Sequence, residues 1–483
     1  MSDGPCEIPA RLLAGRLRRR KVTAVEALEA HLQRIEERNP ALNAVVSLDV
    51  DGARKRAEAA DAALRREEVW GPLHGVPMTL KDAHDVAGLR TTVGTAELDR
   101  IADADGTVAA RLRAAGAILI GHTNVAAWLG DPLQTANPVF GRTRNPWDPD
   151  RTPGGSSGGA AAALAAGMTP LEVGSDLAGS IRLPASFCGV YGLKTTEHRV
   201  PFTGFFRQPE GVPRSVRVLS CLGPLARDLG DLELALRIIA GPDGQDGDVP
   251  PVPLGSRRRT RLQDLRLAVA PSPPGGKVAK SLRQRIERVA AQASDAGAKV
   301  EERLPNVDWE DLYKLFGDLV ATITSLFSPG SHLRDEQRTL AWYLTALERR
   351  DRLAAVWQGF FADFDALILP PAATNAFTHR EPGAPVEVDG KDVSYWEIAG
   401  AQVICNLTGL PGLAVPAGLD ERGLPVGLQI VGPLWSELRL LEIARALEQA
   451  GVLPGFQAPA QEITAALRSS PPSSRDRRGP DSG

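Results

Sequence analysis

The stretch at 151–184, RTPGGSSGGAAAALAAGMTPLEVGSDLAGSIRLP, constrains this 483-residue chain more than any other part of it. It carries two glycine-flanked serine sites separated by an alanine-rich run, so its backbone must bend sharply at each site and pack closely between them. The loop at 154–159 is Gly-Gly-Ser-Ser-Gly-Gly, and 160–166 reads as a close-packed helix. Further on, Asp176, Leu177, Ala178, Gly179 and Ser180 can aim successive backbone N–H groups at one oxygen, because few side chains obstruct the approach.

A serine that attacks an amide carbon needs a proton acceptor, N–H donors for the developing oxyanion, and a turn that exposes its oxygen. Ser180 ends the small-residue run and is the candidate nucleophile. Ser156 and Ser157 add hydroxyls on a bendable loop, suited to relaying a proton. The candidate base is Lys81, in the apolar, β-favouring run GVPMTLKD at 75–82. A free lysine titrates at about 10.4, but burial lowers it towards the ~7–8 that suits a general base. Taken alone, Lys81 reads as a surface lysine closing a strand; the serine loops give it a role. Asp176 and Arg182 flank the Ser180 turn, where a carboxylate and a guanidinium can lock the loop through charge-assisted hydrogen bonds.

The glycine-rich loop has two competing readings. With Ser157 at its centre it fits the G-x-S-x-G elbow of α/β-hydrolases, but that chemistry needs a downstream histidine, and His198, His332 and His379 sit in no recognisable motif. A phosphate-binding loop would be followed by Lys-Ser or Lys-Thr, which is absent, and the spacing matches no dinucleotide fingerprint.

Three segments in order, GPLHGVPMTLKD at 71–82, RTPGGSSGG at 151–159 and GSDLAGSIRLP at 174–184, resemble the amidase signature family. The likeness continues through NPWD at 145–148, FCGVYGLKT at 187–195, NLTGLP at 406–411 and GLPVGLQ at 423–429, so it covers nearly the whole chain, with a signature core at about 71–196. It implies a Ser-cisSer-Lys triad in which Lys81 is the base, Ser156 bridges through a cis peptide after Gly155, and Ser180 attacks; Ser157 is then a support of the loop and not the bridge. The oxyanion would be held by the backbone N–H groups of Leu177, Ala178, Gly179 and Ser180, each typically worth about 3 kcal/mol. Where the family most often has glycine, this chain has Ala178.

The activity implied is an amidase acting on linear amides: a carboxamide is cleaved to an acid and ammonia or an amine through a serine acyl-enzyme, with no metal or organic cofactor. The alternative within the same family is the glutaminase-type component of a glutamyl-tRNA amidotransferase, its A chain. GHTNVAAWLGD at 121–131 and TPLEV at 169–173 look more like stand-alone amidases. A catalytically silent binding protein of the same fold ranks last, since all three triad positions are filled. The family habit offers a homodimer.

Hydrophobic residues make up 43% and charged residues 24%, enough for a substantial core. The formal net charge of −3 gives no broad field for nucleic acid or an anionic membrane, and the resemblance implies a small-molecule amide as the partner. The basic run at 16–21 reads as a solvated turn before a helix. Cys6, Cys188, Cys221 and Cys405 lack metal-ligand spacing and read as buried or free thiols. No apolar signal core and no run of about 18 apolar residues is present, so a soluble, cytoplasmic protein is expected.

Thr23-Ala-Val-Glu26 reads as a capping box opening a helix with Val25, Leu28, Leu32 and Ile35 on one face, stopped at Asn39-Pro40. A second helix is expected at about 53–66 and strands near 117–121, 265–270 and 366–369. After a Pro- and Gly-rich connector at 241–255, residues 257–303 read as strand and helix. This alternation predicts an α/β protein with parallel or mixed strands covered on both faces. The resemblance implies one α/β/α domain over 1–466 with a large mixed, twisted sheet, followed by a disordered tail at 467–483. The helical stretch at 309–364 is rich in aromatics: Tyr313, Phe316, Phe327, Trp342, Tyr343, Trp357, Phe360 and Phe361. Core packing is their first reading; as pocket walls, Trp342 and Phe327 would be the ones to test.

Overall fold

The computed structural model of the chain describes residues 4–207, 215–256, 259–326 and 339–460. Phe327, His332 and the tail at 467–483 lie outside the described residues. The expected strands form at Ile118–Thr123, Arg266–Val269 and Ala366–Leu369, and the second helix at Val50–Arg65.

An eight-stranded sheet runs in the order Lys299–Glu302, Arg266–Val269, Ala366–Leu369, Pro425–Val431, Gly412–Leu419, Tyr191–Lys194, Cys221–Ala226 and Leu171–Asp176. The first three strands are parallel, two of them joined through the helix Lys280–Asp295, and the rest are antiparallel. A three-stranded sheet of Val45–Leu48, Ile118–Thr123 and Pro77–Lys81 extends it. Among the described residues no backbone ladder joins the two sheets; side chains do. Thr79 Oγ1 donates to Glu172 Oε1 at 2.6 Å, and the Thr79 N–H donates to Thr169 Oγ1 at 3.2 Å. The large mixed sheet is therefore present in two sections meeting at a seam beside Lys81.

Successive residues of a strand point to opposite faces. At Tyr191 the hydroxyl reaches Glu448 in the helix Glu437–Gln449, while a Cβ on Gly192 would lie 2.8 Å from Ala185 Cβ in the helix Arg182–Cys188. Helices thus cover both faces. The alanine-rich run forms the helix Gly158–Ala165, buried at every position. Small residues are required there: a Cβ on Gly159 would run into the Asn124 backbone and the Ala44 carbonyl.

Two expectations are corrected. The helix opened by the Thr23–Glu26 capping box does not stop at Asn39-Pro40 but runs from Ala24 to Leu42. Pro40 lies in the last turn, where its missing N–H costs one bond near an end that frays anyway, and the helix terminates only at Asn43, left-handed at φ 51°. The Asn39 carboxamide then takes the N–H groups of Ala44 and Val45, each at 2.8 Å. The basic run at 16–21 is not wholly a turn: Arg16, Leu17 and Arg18 end the helix Ala10–Arg18, with Leu17 buried. Arg20 is tied to the Leu64 carbonyl at 2.5 Å.

All four cysteines are buried and free. Among the described residues no helix is long and apolar enough to cross a membrane.

Because the obstacles to a side chain at Gly159 are backbone atoms that cannot swing aside, Gly159→Ala is expected to destabilise the fold by about 1–3 kcal/mol. Urea unfolding monitored by fluorescence measures it; an unchanged midpoint would contradict the close packing.

Candidate functional site

Lys81 closes the strand Pro77–Lys81 and is fully buried. Its Nζ lies 2.7 Å from Ser156 Oγ, 2.8 Å from Ser157 Oγ and 2.9 Å from Ser175 Oγ. Burial pushes the ammonium down to about 7, against the pull of the Asp176 and Glu172 carboxyl groups. As a neutral amine Nζ has two N–H bonds and one lone pair, so one of the three hydroxyls must donate to it. Ser157 directs its own proton towards the Ser175 carbonyl at 3.5 Å. Ser156, which follows a cis peptide after Gly155, lines the open cavity as well as touching Lys81.

Glu172 sits behind this group. It is buried, and burial raises its carboxyl to about 7 despite hydroxyl donors from Thr79 and Thr123. Neither it nor Ser175 was singled out from sequence. Their signal was available, since Ser175 and Glu172 are polar residues in a short strand, Leu171–Asp176, whose other members are apolar or glycine except Asp176.

The turn at 176–180 is organised by its first carboxylate. Asp176 accepts from the N–H groups of Gly179 at 2.9 Å and Ile181 at 3.2 Å, and from Arg182 Nε at 3.0 Å and Nη2 at 2.9 Å. Burial opposes its ionisation, but the Arg182 guanidinium outweighs this and holds it well below the usual carboxylate range. Arg182 is itself wholly buried and also donates to Asn406 Oδ1 at 2.6 Å and Gln429 Oε1 at 3.1 Å. The late segments NLTGLP and GLPVGLQ thus converge on the arginine that holds the turn.

The N–H groups expected to meet an oxyanion differ in their surroundings. The Gly179 N–H is committed to Asp176, whereas Leu177, Ala178 and Ser180 lie on the cavity wall. The left-handed residue of the turn is Gly179, at φ 101°, and Ala178 carries no positive φ, so alanine is accommodated there. Ser180 shares the cavity with Ser156 and Ser175.

The cavity has a volume of about 1040 Å³. Trp309, Tyr313 and Phe316 line it, with Trp128, Phe205 and Trp396. Trp342 does not: it packs against the cluster that holds Leu312, Leu315 and Leu319, in keeping with the core reading, whereas Tyr313 and Phe316 depart from that reading by lining the cavity. Trp357 is buried between Trp309, Phe360 and Phe361. No histidine is among the described lining residues, and Ser157 is fully buried outside the lining, its hydroxyl 2.8 Å from Lys81 Nζ.

A family model described as Amidase matches residues 26–316 and 318–441. The chain belongs to the amidase signature family. The A chain of the glutamyl-tRNA(Gln) amidotransferase of Thermus thermophilus is 35% identical to this amidase over 93% of the present chain and 98% of its own. The putative amidase AmiB2 of Mycobacterium bovis is 35% identical over 89% and 93%. Among solved structures, 6-aminohexanoate cyclic dimer hydrolase aligns with a TM-score of 0.79 at 28% identity, covering 94% of this chain and 98% of that one.

Removing one member of a buried ion pair strands the other, so Arg182→Met is expected to cost about 3–5 kcal/mol. Guanidinium unfolding measures it; a loss below about 1 kcal/mol would mean that Asp176 finds other compensation.

Proposed function

We propose that this amidase hydrolyses a linear, uncharged carboxamide through an acyl-enzyme on Ser180. The observation that carries the reading is Lys81 Nζ, buried and driven towards its neutral form, 2.7 Å from the hydroxyl of Ser156 on the floor of the cavity that Ser180 lines. Ser180 Oγ attacks the carbonyl carbon as its proton passes to Ser156, whose own proton moves to Lys81. The oxyanion is met by the N–H groups of Leu177, Ala178 and Ser180. As the C–N bond breaks, the proton returns from Lys81 through Ser156 to the leaving nitrogen. Water then attacks the ester by the same relay, releasing the acid and restoring Ser180. Asp176 and Arg182 hold the loop and touch no reacting atom.

The second reading, the glutaminase component of an amidotransferase, has the Thermus thermophilus relative in its favour. Glutamine brings an α-carboxylate that needs a cation to receive it. Among the described residues lining the cavity none is lysine, arginine or histidine, and two are the carboxylates Glu310 and Glu397. That electrostatic lining supports an uncharged amide over glutamine.

Two measurements test these readings. Ser180→Ala and Lys81→Ala are each expected to lower kcat/KM by about 10⁴-fold or more with the fold retained; turnover surviving in Ser180→Ala would sink the mechanism. Since only neutral Lys81 accepts a proton, kcat/KM of the wild type should climb with pH through about 7 and then level off. For the choice between readings, ammonia release from glutamine should be at least about 100-fold less efficient than from an uncharged aryl or alkyl amide, a gap of roughly 2.7 kcal/mol. Comparable rates would reverse the order.

A further inference from the structure

The helix Trp309–Thr324 borders the cavity from its first turn to its last. Trp309, Tyr313, Phe316, Gly317, Val320 and Thr324 all line it, and steps of three and four residues place them on one face. Sixteen helical residues span about 24 Å at ~1.5 Å each, so the cavity is an elongated channel rather than a round pocket. Apart from the two carboxylates, its described lining is apolar, aromatic or uncharged.

Gly317 stands in the middle of this wall, where the fold gives no reason for a glycine. Its φ is not positive, and an added Cβ would meet nothing within 4 Å. Glycine in a helix interior is a poor helix former, so stability argues against it. What the missing side chain provides is free width at the midpoint of the channel.

We infer that Gly317 is a specificity-determining residue that keeps the channel open for an amide carrying an extended apolar chain, one that reaches past the middle of the helix Trp309–Thr324. This rests on Ser180 being the nucleophile, which fixes where the scissile amide sits. Chain length then sets reactivity: a short substituent fills only the part of the channel near the serines, whereas a long one gains apolar contact along the wall. Leucine at 317 would occupy the midpoint of this wall and shorten the usable channel, while its Cβ meets nothing within 4 Å.

The test uses the full chain and two fluorophosphonates, ethyl and dodecyl, with Ser180 labelling followed by intact mass and peptide mapping. In this reaction a Ser180 Oγ–P bond forms as the P–F bond breaks, fluoride leaves, and the serine proton goes through Ser156 to Lys81. The dodecyl probe is expected to label wild type at least tenfold faster than the ethyl probe. In Gly317→Leu the ethyl rate should stay within threefold of wild type, while the dodecyl rate falls at least tenfold; Gly317→Ala should fall between. A melting temperature at or above that of wild type establishes that Gly317→Leu is folded. Equal rates for the two probes on wild type, or equal slowing of both in Gly317→Leu, would overturn the channel assignment while leaving the nucleophile intact. No adduct on Ser180 with either probe would overturn the catalytic reading beneath it, and with it this inference.

Discussion

An amine sealed away from water keeps its proton only if negative charge faces it closely, and the position of Lys81 is built around that constraint. Its immediate partners are three serine hydroxyls, while the carboxyl groups of Glu172 and Asp176 act from further off. Hydroxyls can accept from an ammonium or donate to an amine, so the same three contacts serve both protonation states. A carboxylate in direct contact would have held the lysine in its charged form. The carboxyls stand beyond direct contact with Nζ, and Glu172, raised by burial to about 7, is only partly ionised near neutral pH.

The second organising charge is Asp176. It is needed fully ionised, and Arg182 makes that possible in a buried site by taking up its charge, with Asn406 as a further donor. Arg182 in turn reaches Gln429 and the Gln402 carbonyl, so chain segments more than two hundred residues apart meet on one guanidinium. This explains why motifs late in the sequence belong with the serine loop. They contribute no reacting group; they complete the hydrogen bonding of a buried cation that would otherwise be costly.

Much of the site was legible in the sequence because its demands are local. A glycine-bounded loop, an alanine helix and a small-residue turn restrict the backbone strongly, and in the structure Lys81 touches Ser156 while Ser156 and Ser180 line one cavity. The capping box at Thr23 was equally local and is present in full. What escaped depended on tertiary placement. Ser175 becomes a partner of Lys81 only because two strands lie side by side, and the Gly179 N–H is taken up only because the Asp176 carboxylate folds back onto it. The helix end at Pro40 was misread because the proline rule weighs the missing N–H without asking how close the helix already is to its terminus. The aromatics at 309–364 divide between core and cavity according to helix phase against a distant partner, which no local pattern reveals.

The wall formed by the helix Trp309–Thr324 is contributed by a part of the chain that supplies neither base, relay nor nucleophile. Its face can therefore change in shape without altering the contacts between Lys81 and the serine loop. Two chains sharing the same serines and lysine can in this way differ in the width and length of the space beside them.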